Sequence, residues 1–158
     1  MRIERLNLAD DGRVSLTAYL LDTSTELPAL DKRPAVVICP GGGYAYTSDR
    51  EAEPIALTFS AQGYQTFVLR YSIKEYAAFP NSLVDLAKAV ALIRRQADDL
   101  NIFAERIAVA GFSAGGHLAA SLGVFLERSG NSGACEMQRR REQAECACPL
   151  LSCNCVGR

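Results

Sequence analysis

Apolar residues along the chain fall into short runs whose spacing alternates between the strand and helix periods. Ile3 to Leu8 and Val14 to Leu21 carry strand-like residues on either side of a turn at Asp10, Asp11 and Gly12, which predicts a β-hairpin. Thr23 to Pro34 is a polar connection broken by Pro28 and Pro34. The run A-V-V-I-C at Ala35 to Cys39 is then continuously apolar, as expected of a strand buried on both faces of a mainly parallel sheet. Ser48-Asp49-Arg50-Glu51 supplies helix-start chemistry for a helix over Pro54 to Gln62 that Gly63 stops. Thr66 to Tyr71 returns as a strand, and Ser72 to Pro80 is a loop. Asn81 or Ser82 can cap the next helix, with Asp85 in its first turn. Leu83, Leu86, Val90 and Ile93 recur at helical spacing to about Gln96, which marks them as core. Asp98 to Glu105 connects to a strand over Ile107 to Ala110, and the alanine- and leucine-rich segment His117 to Phe125 reads as a helix. Strands alternating with helices argue for an α/β fold, a mainly parallel sheet with flanking helices and right-handed crossovers.

Composition narrows the class without changing the fold. The 158 residues are 49% hydrophobic, with 17 Lys and Arg against 18 Asp and Glu, which fits one soluble globular domain. Near-neutral charge gives no reason to expect a nucleic-acid partner or an anionic membrane surface. The N-terminus has no apolar core of signal-peptide length and no run is long enough to span a bilayer, so the expected location is the cytoplasm. Cysteine is unevenly spread: Cys39 stands alone in the body, while Cys135, Cys146, Cys148, Cys153 and Cys155 crowd the tail.

Two glycine-rich stretches carry the candidate chemistry. Pro40-Gly41-Gly42-Gly43-Tyr44 follows the buried run directly, and three glycines free the backbone to turn N–H groups toward an anion. A merely flexible loop is the other reading, although such loops are seldom planted at the end of a buried strand. The second stretch is G-x-S-x-G at Gly111, Ser113 and Gly115, set between a strand pattern and a helix pattern. A serine on such a turn is held clear of both elements, with the following helix aiming free N–H groups and its positive dipole end toward it. A glycine-rich helix start that only packs, or that cradles a phosphate, is the competing reading.

The segments C-P-G-G-G-Y at Cys39 to Tyr44, S-D-R-E-A-E-P-I-A at Ser48 to Ala56, G-Y-Q-T-F-V-L-R-Y-S at Gly63 to Ser72 and G-F-S-A-G-G-H-L-A at Gly111 to Ala119 resemble, in this order, the α/β-hydrolase superfamily. Within it they resemble bacterial serine carboxylesterases akin to acetyl esterases, acetylxylan esterases and feruloyl-type hydrolases. The resemblance covers roughly Met1 to Phe125. It implies that Ser113 is the nucleophile and that the backbone N–H groups of Ala114, Gly42 and Gly43 form the oxyanion hole, with no cofactor or metal. The implied substrates are small acyl esters or acetylated carbohydrates.

The remainder of such a site is missing from the sequence. A serine hydroxyl needs an adjacent base, and in this fold the acid and then the histidine follow the serine along the chain. The only histidine, His117, lies one helical turn beyond Ser113, within a G-G-H-L-A pattern where the family does not use it as the base. It is expected to be packed or hydrogen-bonded behind the elbow. Asp85, Asp98 and Asp99 precede Ser113, and Glu127, Glu136, Glu142 and Glu145 follow it without marking a strand end, so no triad acid is recognisable.

From about Glu127 the chain shows neither strand nor helix periodicity and resembles nothing in the family. Its C-x-C…C-x-C spacing departs from the usual zinc pattern, and disulfides do not suit a cytoplasmic chain. A shifted reading frame is the third explanation: Gln143 to Cys155 can be encoded so that the next frame reads K-P-N-A-L-V-L-S-Y-P-V-I, an apolar stretch like the family's next strand.

The expectation is therefore an incomplete α/β-hydrolase fold lacking its C-terminal strands, with residues 1–125 forming the N-terminal part of the domain and residues 126–158 an aberrant tail. As a catalyst it should be weak or inactive. The strand before Ser113 would become an apolar sheet edge, inviting self-association. A noncatalytic binding or interaction module that keeps the glycine loop and elbow as an anion cavity is the alternative.

Overall fold

A computed structural model describes residues 1–26 and 31–131 of the chain. Strand β1 (Arg2–Asn7) and strand β2 (Ser15–Leu20) form the expected antiparallel hairpin. Strand β3 (Arg33–Cys39), helix α1 (Glu53–Ala61), strand β4 (Gln65–Arg70), helix α2 (Asn81–Arg95), strand β5 (Ile102–Gly111) and helix α3 (Ala114–Asn131) follow in alternation. The five strands make one sheet in the order β1-β2-β4-β3-β5. β4, β3 and β5 run parallel, and β2 joins β4 antiparallel. Met1–Leu122 is one compact unit; of the unit beginning at Gly123, the described part is helix to Asn131.

Period-two alternation along β3 explains its continuous apolar run. Ala35, Val37 and Cys39 belong to one buried cluster with Phe67, Leu69, Leu86, Ile93 and Leu118, whereas Val36 and Ile38 join Val68 and Ala56 in a second. α2 and the first part of α3 thus cover one face of the sheet and α1 covers the other. Leu86 and Ile93 are fully buried, and Leu83 and Val90 pack against them at partial burial, as the helical spacing predicts.

Three local expectations are corrected. β5 begins at Ile102, inside the stretch read as a connection. Ile102 is buried and pairs with Arg33, and a register shift between Arg33 and Ala35 admits the exposed Glu105 and Arg106 that disguise the strand. Neither Asn81 nor Ser82 caps α2: Asn81 is already helical, the Ser82 hydroxyl donates to the Ser72 carbonyl at 2.8 Å, and Asp85 accepts the Ser72 N–H at 2.9 Å. These polar side chains tie down the loop after β4 instead. α3 starts at Ala114, three residues before His117, and continues to Asn131, beyond the point where helical periodicity was expected to end. The readings made of the cysteine-rich tail concern residues 132–158, outside the described residues.

Candidate functional site

The parallel register places Cys39 opposite Gly111, so the loop leaving β3 and the turn leaving β5 emerge side by side at the carboxyl end of the sheet. This is where open α/β sheets build their sites. The Phe112 N–H donates to the Cys39 carbonyl at 3.1 Å, which extends the pairing one residue into the turn.

Ser113 then takes φ of 50°, left-handed backbone that a residue with a Cβ adopts only under local strain. The turn is closed by Gly115 N–H to Phe112 O at 2.8 Å and His117 N–H to Ser113 O at 2.9 Å, and the Ser113 side chain is exposed. Glycine is required on both sides. A Cβ on Gly111 would fall on the Gly115 carbonyl, and one on Gly115 would fall on the Cys39 carbonyl.

The glycine loop lies against this turn. A Cβ on Gly41 would stand 2.7 Å from Phe112 O and 3.1 Å from Ser113 Cβ. Gly42 and Gly43 have φ of 137° and 60°, which only glycine takes freely. The Gly41 carbonyl accepts the Ser48 N–H at 2.9 Å, and the Gly42 carbonyl accepts the N–H groups of Ala45 at 3.0 Å and Tyr46 at 3.3 Å. In a trans peptide the C=O and N–H of one unit point in opposite directions. With both carbonyls held on the Ser48 side, the N–H groups of Gly42 and Gly43 face away from it, and neither donates to a carbonyl among the described residues. Ala114, the first residue of α3, has the free N–H of a helix start. These four predicted residues, Ser113, Gly42, Gly43 and Ala114, therefore share one corner of the sheet edge.

The loop is braced from three further directions. The Tyr71 hydroxyl donates to Pro40 O at 2.6 Å, the Lys74 N–H donates to Tyr44 O at 2.7 Å, and the Tyr44 hydroxyl is paired with His117 Nδ1 at 2.8 Å. The Tyr44 ring also meets Tyr71 edge-on at 5.8 Å between centroids. Burial pushes the Tyr71 phenol well above its ordinary range, with Cys39, Tyr44 and Glu51 adding smaller repulsions. Burial pushes the Cys39 thiol up to about 12, so it stays protonated beneath the site. His117, expected behind the elbow, is thus a clasp between α3 and the glycine loop, and no hydrogen bond among the described residues joins it to the Ser113 hydroxyl.

Sequence reasoning missed Glu51. Its place at a helix start disguises a second role: the carboxylate accepts the Gly41 N–H at 2.8 Å and lies 2.9 Å from the point where a Gly41 Cβ would stand. No group of three His, Cys, Asp or Glu side chains that could hold a metal ion occurs among the described residues, and no described helix is long and apolar enough to cross a membrane.

Comparison with known proteins identifies the fold and the family. The solved structure of MGS-M1, an α/β hydrolase enzyme from a Medee basin deep-sea metagenome library, is 51% identical. It superposes with a TM-score of 0.76 over 77% of this chain and 50% of its own. Endo-1,4-beta-xylanase B of Butyrivibrio fibrisolvens is 35% identical over 99 residues, 61% of this chain and 16% of that protein. The acetylxylan esterase of Xylanibacter ruminicola is 30% identical over 121 residues, 76% of this chain and 24% of that protein. The chain therefore spans less than a quarter of the length of these two curated relatives and half that of the metagenomic enzyme. The model of the BD-FAE family matches residues 21–148, continuing past Phe125, where the resemblance read from the motifs ended. With the glycine loop and the serine turn at one sheet edge, and with these relatives, the chain belongs to the BD-FAE family of the α/β-hydrolase superfamily.

Proposed function

We propose that the chain carries the nucleophile and oxyanion hole of a serine carboxylesterase acting on small acyl esters, with acetylated xylan-type carbohydrates as the substrate class. The Ser113 Oγ attacks the ester carbonyl and gives up its proton to solvent water, which returns one to the leaving alcohol. The resulting oxyanion is received by the N–H groups of Gly42, Gly43 and Ala114, the alcohol departs with a proton, and water then releases the acid from the acyl-serine. The observation that carries this reading is the strained, exposed Ser113 beside two glycine N–H groups turned away from their own loop. The names of the xylan-active relatives support the substrate class.

Turnover by these 158 residues should be slow. The single histidine is engaged with Tyr44, and no carboxylate is recognisable as its triad partner. An oxyanion hole and binding alone retain about 10³ to 10⁴-fold over water, whereas dismantling a triad forfeits roughly 10⁶. Hydrolysis of p-nitrophenyl acetate by the wild type and Ser113→Ala tests this, with slow release that disappears in the variant as the expected result. Fast turnover would overturn the claim of weakness. Identical rates in the two proteins would overturn the serine mechanism and leave a noncatalytic anion-binding module.

A further inference from the structure

Glu51 ends a single 3-10 turn, Asp49–Glu51, whose position is set from outside. Arg70, at the end of β4, holds the Thr47 carbonyl and hydroxyl, each at 2.9 Å, and Asp49 at 2.7 Å, while the Ser48 N–H holds Gly41 O at 2.9 Å. This anchoring delivers the Glu51 carboxylate to the Gly41 N–H at 2.8 Å, on the side of the loop that abuts Phe112 and Ser113.

Peptide geometry gives the bond a specific consequence. The three successive N–H groups of Gly41, Gly42 and Gly43 could all compete for an incoming anion. Glu51 takes the first, and the carbonyl bonds to Ser48, Ala45 and Tyr46 turn the other two. An acceptor oxygen carried on an anchored turn is already in place, whereas a bridging water would have to be immobilised, so Glu51 fixes the Pro40–Gly41 peptide more firmly than a water could. The Pro40 carbonyl on the opposite side of the same peptide is held by Tyr71, so that unit is pinned at both ends. From there the orientation passes to Gly42 and Gly43 through two residues that have no side chains to hold them.

Resting on the serine esterase reading above, we propose that Glu51 is a positioning residue that locks the Pro40–Gly41 peptide and so presents the Gly42 and Gly43 N–H groups to the oxyanion formed at Ser113. Glu51 acts through the backbone and needs only an acceptor oxygen at the Gly41 N–H, not a negative charge or a proton.

Two measurements on the full chain test this. The first is the rate at which a fluorophosphonate labels Ser113 in the wild type, Glu51→Gln and Glu51→Ala, with Ser113→Ala as the blank. Losing one oxyanion donor outright lowers rates by about 10² to 10³. Misorienting the pair in Glu51→Ala should therefore slow labelling by at least about tenfold, and Glu51→Gln, whose amide oxygen can accept the same bond, should stay within about threefold of wild type. The second is amide hydrogen exchange of Gly41, Gly42 and Gly43 by NMR, which needs no reactivity at Ser113. Exchange at Gly41 should accelerate at least about tenfold in Glu51→Ala but not in Glu51→Gln. Wild-type labelling rates in Glu51→Ala, or Glu51→Gln as impaired as Glu51→Ala, would overturn the proposal. If the wild type fails to label, the serine reading falls. The exchange data then decide Glu51 alone: unchanged Gly41 exchange in Glu51→Ala refutes the lock, and acceleration in Glu51→Ala that is absent from Glu51→Gln upholds it.

Discussion

Gly115→Ala tests the contact on which the whole site depends, the first turn of α3 lying directly on the end of β3. An added Cβ would overlap the Cys39 carbonyl oxygen, and it would stand 2.6 Å from the Cys39 carbonyl carbon and 2.7 Å from the Pro40 oxygen. Ordinary carbon–oxygen contacts begin near about 3.3 Å, so clearing the Cys39 oxygen requires helix and strand to part by more than about 1 Å. A gap of that size forfeits about half of the dispersion between the facing groups, and overpacking against backbone belongs near the top of the usual range of about 1 to 3 kcal/mol. Alanine's better helix propensity returns about 1 kcal/mol, leaving a net loss of about 2 kcal/mol. In a folded unit of this size that lowers Tm by about 6 to 12 °C. Thermal unfolding of the full chain, followed by far-UV circular dichroism, reads the loss. Two neighbouring glycines calibrate it. A Cβ on Gly116 would lie 3.1 Å from the Gly111 oxygen, so Gly116→Ala should change stability by no more than about 1 kcal/mol. A Cβ on Gly123 meets nothing within 4 Å, so Gly123→Ala should stabilise by up to about 1 kcal/mol. If Gly115→Ala melts within about 2 °C of wild type, or above Gly123→Ala, the close approach of α3 to β3 is wrong.

Three further outcomes follow from particular residues. Ser113→Gly should raise Tm by a few degrees while abolishing labelling, because glycine adopts φ of 50° without the penalty of about 1 kcal/mol or more that serine carries; an unchanged or lowered Tm would refute the strain. Cys39 remains a thiol up to about 12 when folded, against 9.0 for a free thiol, so the unfolded state sheds a proton that the folded state keeps. Stability should therefore fall as pH rises from 9 toward 12, by about 1.4 kcal/mol per unit from this group, and the slope should flatten in Cys39→Ala. Among the described residues β5 pairs only with β3, and its Ile107 to Ala110 half is uncharged, whereas the opposite edge strand β1 carries Arg2, Glu4 and Arg5. We propose that this edge self-associates; size-exclusion chromatography should give oligomers that Ala108→Lys converts to monomer, and a wild-type monomer would refute it.

The sequence made the scaffold and the position of the site legible for different reasons. Ala35 to Cys39 announced a two-faced buried strand because both faces of β3 meet apolar clusters, and the glycines after it and around Ser113 stand where the backbone folds too closely for a side chain. Glu105 and Arg106 hid the first half of β5, since an exposed edge tolerates charges that a central strand does not. Ser82 and Asp85 carry helix-cap chemistry but spend it on Ser72, a preference that only the tertiary path of the loop after β4 decides. Tyr44 and His117 lie 73 residues apart, and Glu51 lies 10 residues from Gly41. No local pattern marks either bond, because the first exists only once parallel register has brought the β3 and β5 ends together, and the second only once Arg70 at the end of β4 has anchored Thr47 and Asp49.

The central claim is that Ser113 is a nucleophile facing a backbone oxyanion hole. The most direct test mixes the full chain with p-nitrophenyl acetate, quenches in acid and maps the acetyl group by peptide mass spectrometry. The account predicts acetyl on the peptide containing Ser113, absent from Ser113→Ala and reduced in Glu51→Ala. Acetylation confined to lysines, or equal in wild type and Ser113→Ala, would contradict it.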